Sequence, residues 1–165
     1  MRAGYDRTMN RDTEGFARRL DRLPFIFDTF PLYFVTFCTI NRQPLLANAA
    51  VHEAFCIGGR KATAAGVAVG RYVIMPDHVH CFIRIGPEGS LSSTVKRLRE
   101  GITKRLRQAK PGLKVWQSGF FDHVLRSSES YSGKWEYVRQ NPVRANLCKT
   151  AEEWPFQGEI AIISM

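Results

Sequence analysis

Apolar and polar positions alternate from residue 78 to 85. Val79, Cys81, Ile83 and Ile85 share one parity; His78, His80, Phe82 and Arg84 share the other. A period of two belongs to a strand with one buried face. A second apolar run precedes it, and Pro76-Asp77 lies between them. Proline presets φ at the first central position of a turn, and aspartate tolerates the second. The stretch 67–85 therefore predicts a β-hairpin. Residues 32–40, Leu-Tyr-Phe-Val-Thr-Phe-Cys-Thr-Ile, are β-branched or aromatic on both parities, as in an interior strand. The Ala-rich stretch 47–65 reads as a helix weakened by Gly58-Gly59. Leu91, Val95, Leu98, Ile102 and Leu106 recur at steps of four, three, four and four, which predicts a helix over 91–108. Ser90 or Ser92 caps it, and Pro111-Gly112 stops it. Residues 114–125 resume a strand-like pattern around Trp116, Phe120, Phe121, Val124 and Leu125. Ser127-Ser128 then opens a second amphipathic helix with Glu129 in its first turn and Tyr131, Trp135 and Val138 as its buried stripe.

The predicted order is β, α, β-hairpin, α, β, α. That is an α+β fold with an antiparallel, ferredoxin-like sheet of the split βαβ kind. The helices at 47–65 and 91–108 are expected over the face lined by Val79, Cys81, Ile83 and Ile85. The histidine face is left open for a site. Residues 1–22 mix charges without an apolar period, so 1–30 is expected as a mobile or loosely docked arm. One domain is expected over 31–156, with a tail at 157–165.

Charge narrows the possible partners. The net charge is +9, and residues 60–144 hold sixteen Lys and Arg against six Asp and Glu. Such a balance suits a polyanion, nucleic acid above all. There is no long apolar run and no signal peptide, so a soluble, cytoplasmic protein with no membrane partner is expected. The four cysteines, Cys38, Cys56, Cys81 and Cys148, lack Cys-x-x-Cys spacing and read as reduced, small apolar fillers.

His78 and His80 stand side by side on one sheet face, where two imidazole nitrogens can share a metal ion. The same spacing suits two half-exposed strand residues with no ligand. Tyr137 lies roughly 120° from the buried stripe of its helix. Asn141 follows one turn later on the same face. Tyr137 also suits a rim aromatic with its hydroxyl in water. Asn141, preceding Pro142, also suits the N-cap of a new short helix. The 91–108 helix carries Lys96, Arg97, Arg99, Lys104, Arg105 and Arg107 against Glu100, which favours phosphate contact over an ordinary solvated face. Trp116, Phe120, Phe121 and Tyr72 are candidates for stacking on unpaired bases, although aromatics near strands more often build core. His123 beside Asp122 is a poor catalytic pair, because adjacent strand residues point to opposite faces.

Four motifs occur in order: Tyr-Val-Ile-Met-Pro-Asp-His-Val-His, Lys-Arg-Leu-Arg, Val-Trp-Gln-Ser-Gly-Phe-Phe-Asp-His-Val-Leu-Arg and Trp-Glu-Tyr-Val-Arg-Gln-Asn-Pro-Val-Arg-Ala-Asn-Leu. Together, from about Leu32 to Trp154, they resemble the single-tyrosine HUH transposases, in particular the REP-associated tyrosine transposase branch. Each motif alone is weak; the ordered set is specific. The resemblance implies that His78, His80 and Asn141 hold a divalent ion, magnesium or manganese, and that Tyr137 is the nucleophile. It also implies a transposase domain over 31–156, a ferredoxin-like sheet, and single-stranded or hairpin DNA as substrate for a monomer or homodimer. The family often has Ala-Gly-Leu-Val where this chain has Ala-Asn-Leu-Cys at 145–148; Asn146 can take the left-handed cap that glycine provides. The family often ends near Tyr-Pro-Trp-Ser-Ser, where this chain has Trp-Pro-Phe-Gln-Gly at 154–158.

The expected chemistry is metal-assisted cleavage and rejoining of single-stranded DNA through a 5′-phosphotyrosine. Two other classes suit the same residues. One is a non-catalytic module that binds single-stranded nucleic acid; however, the aromatic Lys/Arg-Gly-Phe/Tyr pattern of RNA-recognition motifs is absent. The other is a metal-dependent nuclease using water, with Tyr137 incidental. An inactive copy that still binds DNA is a further alternative.

Overall fold

Strand β1, Leu32–Cys38, is buried along its whole length, as its double-sided apolar pattern requires. The computed structural model describes residues 31–163, so the arm expected at 1–30 lies outside the described residues. Helix α1, Ala49–Ala64, follows, then the hairpin strands β2, Val67–Ile74, and β3, His78–Ile85. Helix α2, Leu91–Ala109, leads to strand β4, Phe121–Leu125. Helices α3, Ser128–Arg139, and α4, Asn141–Arg144, precede a short strand β5, Gln157–Glu159. The sheet runs β4-β1-β3-β2-β5, with every neighbouring pair antiparallel. Each crossover, β1-α1-β2 and β3-α2-β4, skips over one strand, which is the expected split βαβ arrangement.

The hairpin turns through Pro76-Asp77 and is closed by Met75 N–H donating to the His78 carbonyl at 2.8 Å. Its buried parity, Val79, Cys81, Ile83 and Ile85, joins Tyr33, Val35 and Phe37 of β1 under Leu91, Val95, Leu98 and Ile102 of α2. Ser90 caps α2 by accepting from Ser93 N–H, and Asn48 caps α1 by accepting from Val51 N–H. Gly58 and Gly59 do not interrupt α1. They mark where it meets its neighbours: a Cβ at Gly58 would lie 3.1 Å from Leu98 Cδ2, and one at Gly59 would overlap Ile160 Cδ1.

Three features depart from the predicted outline. Strand β4 is only five residues, because Trp116 is diverted: its indole N–H donates to Thr103 Oγ1 at 2.9 Å, and Gly119 turns the chain at φ 69°. Gln140, not Asn141, occupies the N-cap position of α4, without a side-chain cap bond; Asn141 begins that helix, with Pro142 in its first turn. Asn146 does take the left-handed conformation, at φ 56°. The segment expected as a tail, 157–165, supplies β5, and Ile163 is buried against the sheet.

The second sheet face is roofed at one end only. Phe82 lies 4.9 Å from the Tyr131 ring and 6.3 Å from that of Trp135, both on α3, and Trp154 donates to the Ile74 carbonyl at 3.0 Å. The end of β3 that carries the histidines lies beside this roof.

Candidate functional site

Strand alternation puts His78 and His80 on one face, and the β1–β3 register sets Thr36 opposite His80 and Cys38 opposite His78. The two Nε2 atoms lie 3.1 Å apart. Asp77 Oδ1 lies 2.7 Å from His78 Nδ1. A carboxylate only accepts, so that nitrogen carries the proton and His78 Nε2 presents a lone pair. Thr36 Oγ1 lies 2.7 Å from His80 Nδ1, and a hydroxyl serves either tautomer of that ring. Phe34 stacks on His80 with centroids 5.3 Å apart. Burial pushes the His80 pKa down to about 3, helped by the charges of His78, Arg42, Lys134 and Arg144. Burial also lowers His78, against the opposing pull of Asp77. Burial therefore favours the neutral form of both rings.

This donor set suits a divalent ion. Two nitrogens 3.1 Å apart, each about 2.1 Å from one ion, subtend an angle close to 90°. Neutral imidazole favours manganese or zinc over magnesium. Among the described residues no group of three or more His, Cys, Asp or Glu side chains could hold a metal.

Helices α3 and α4 supply the other candidates. Tyr137 is 63% exposed, off the stripe of Tyr131 and Val138 that buries α3. Because Gln140 takes the capping position, the Asn141 carboxamide is not used as a cap, and its Oδ1 accepts from Arg144. Arg144 also donates to the Tyr137 carbonyl at 2.7 Å, and its guanidinium carbon lies 4.2 Å from the Tyr137 ring centroid. Lys134 Nζ lies 5.1 Å from the Phe34 ring, the same ring that stacks on His80. Lys134, Tyr137, Asn141 and Arg144 thus follow one another at steps of three, four and three across the break between α3 and α4, with Arg144 bridging Tyr137 and Asn141.

The basic residues of α2 are elsewhere: they belong to the helical layer, with the sheet between them and the histidines. Lys96, Arg97, Lys104, Arg105 and Arg107 are exposed. Arg99 is turned inward, between the Phe37 and Trp116 rings at 5.3 and 5.5 Å, and donates to the Gly119 carbonyl. Tyr72 is core, with its hydroxyl 2.7 Å from His52 Nε2. Asp122 is buried and His123 exposed, on opposite faces of β4. All four cysteines are free.

Sequence reasoning missed Thr36, Arg42, Lys134 and Arg144, and took Asp77 only as a turn residue. Arg42 follows β1 in a turn where Asn41 and Arg42 have φ of 51° and 55°. That turn brings its Nε to 2.7 Å from Asp77 Oδ2, which braces the carboxylate holding His78. The spacing on α3 and α4 was a usable signal for Lys134 and Arg144.

The family model described as "Transposase IS200 like" matches residues 32–141. A REP-associated tyrosine transposase of Escherichia coli is 32% identical over 91 residues, covering 53% of this chain and 52% of that protein, so the match spans about half of its length. An uncharacterised Haemophilus influenzae protein is 25% identical over 143 residues, covering 67% of this chain and 79% of that one. Among solved structures, a REP-associated tyrosine transposase bound to a REP hairpin shares the fold, with a TM-score of 0.64 and 20% identity over 88% of this chain and 96% of that chain.

Proposed function

The chain belongs to the family of IS200-like transposases, and from that membership we propose that it cleaves and rejoins single-stranded DNA through a covalent link to Tyr137. The observation that carries this is the pair of neutral imidazole nitrogens 3.1 Å apart on the sheet face that α3 covers, with an exposed tyrosine on that helix. The Tyr137 oxygen attacks the phosphorus, and the bond from phosphorus to the 3′ oxygen breaks. The phenolic proton is lost, and the leaving oxygen gains one to become a 3′-hydroxyl. A 5′-phosphotyrosine remains, and a different 3′-hydroxyl reverses the step, so no external energy source is consumed.

His78, His80 and Asn141 would hold a divalent ion, magnesium or manganese, which when bound supplies charge neutralisation at the phosphate oxygens. Asp77 and Thr36 hold the two rings in place through their Nδ1 atoms. Asn141 must give up or share its contact with Arg144 to serve as a ligand. The catalytic unit is residues 31–156 with β5 completing the sheet edge.

The solved relative is bound to a REP hairpin; a DNA hairpin with an unpaired flank is the substrate class proposed for this chain. Lys96, Arg97, Lys104, Arg105 and Arg107 would hold its backbone from the helical layer, away from the cleaved phosphate. A strand labelled at either end tests the chemistry. The protein-bound fragment should carry the 3′ label and never the 5′ label. Two free fragments without an adduct would instead establish a water-using nuclease.

A further inference from the structure

Among the described residues, the histidine face carries two cations that no acid offsets. We propose that Lys134 and Arg144 form a two-point clamp for the DNA backbone, with Arg144 on the phosphate that Tyr137 attacks and Lys134 on the strand beside it. This rests on the assignment of Tyr137 as nucleophile.

The spacing sets the two cations on either side of Tyr137, three residues before it and seven after. Lys134 reaches the Phe34 ring at 5.1 Å, and Phe34 stacks on His80. Arg144 lies on the Tyr137 ring face and contacts Asn141 Oδ1, so it touches both the attacking residue and a proposed ligand. Its bonds to the Tyr137 carbonyl and Asn141 use one terminal nitrogen, leaving the rest of a five-donor fork that matches phosphate oxygens.

The surrounding acids are committed to other cations. Asp77 pairs with Arg42 and also accepts from the His78 ring N–H, and Glu136 and Glu152 both pair with Arg139. Among the described residues no carboxylate pairs with Lys134 or Arg144. Arg42, the third cation near the pair, is neutralised by Asp77 and also donates to Cys38 Sγ at 2.8 Å, so it is a brace and not part of the clamp.

The test is the salt dependence of binding to a single-stranded oligonucleotide, with adduct formation measured separately. For single strands, each lost phosphate contact lowers the slope of log K against log salt by about 0.7. Lys134→Gln and Arg144→Gln should each lower it by about that amount, and the double variant by about twice it. With Tyr137 intact, Arg144→Gln should slow adduct formation at saturating DNA about 10- to 100-fold, as expected for a lost charge-assisted bond, and Arg144→Lys should recover part of it. Unchanged slopes with normal adduct formation overturn the clamp and leave the nucleophile standing. Lowered slopes with no adduct from the parent protein support the clamp as a DNA contact and remove Tyr137 as nucleophile. A fall in melting temperature matched by equal loss in Arg144→Lys would assign Arg144 a structural role and overturn its part of the clamp.

Discussion

Thr36 Oγ1 stands 2.7 Å from Nδ1 of His80, on the neighbouring strand at the same rung of the ladder. Without an ion, the hydroxyl can donate to Nδ1 while His80 Nε2–H donates to the His78 lone pair 3.1 Å away. If the two rings held an ion, the His80 tautomer would reverse so that its Nε2 offered a lone pair. Thr36 then accepts from Nδ1–H. A residue that can only donate or only accept would hold one state and oppose the other.

Thr36→Val removes that adaptable partner with little change of volume. Manganese affinity should fall about 10- to 100-fold, the usual cost of losing a group that orients a metal-bound histidine. Thr36→Ser should restore most of it. Calorimetric titration of manganese into the three proteins measures this.

His78→Ala and His80→Ala should each abolish metal-dependent cleavage while leaving the far-ultraviolet dichroism unchanged, because both side chains lie on the sheet face opposite the core beneath α1 and α2. Chelation with EDTA should reproduce the loss in the parent protein, and added manganese should reverse it. Cleavage that persists in EDTA would remove the metal from the mechanism.

Phe82 is the buried contact between the site's strand and its roof, touching Phe34, Tyr131 and Trp135. Phe82→Ala should cost about 3–5 kcal/mol of stability, as for other large aromatic truncations. Denaturant unfolding gives the value. Because α3 carries Tyr137, cleavage by this variant should fall more steeply with temperature than that of the parent.

The basic helix α2 separates into two roles. Arg97→Gln and Lys104→Gln should weaken DNA binding and reduce its salt dependence without changing the melting temperature. Arg99→Ala should do the reverse. It strands the Gly119 carbonyl and empties the slot between Phe37 and Trp116, at a cost of about 1–3 kcal/mol.

These sites differ in how openly the chain displays them. The period of two over 78–85 is local, so the hairpin and the shared histidine face are legible from spacing alone. The apolar stripe of α2 is equally local, and it already places the basic face away from the sheet. Thr36 and Arg42 are a different matter. Their partnership with His80 and Asp77 depends on the β1–β3 register and on two consecutive left-handed residues, and neither is written in any window of adjacent positions. Arg144 sits beyond Pro142, which reads as the start of a new helix and hides the continuation of the spacing from Lys134. The short β4 and the added β5 follow from long-range bonds, of Trp116 to α2 and of Gln157–Glu159 to β2, that override local strand propensity.

The central claim is that Tyr137 becomes covalently joined to DNA. The most direct measurement incubates the protein with labelled single-stranded hairpin DNA from sequence flanking its gene and manganese, then separates the products on a denaturing gel. A labelled band at the mass of protein plus fragment, absent in Tyr137→Phe although that variant still binds the DNA, is the predicted result. The same band from Tyr137→Phe would contradict it.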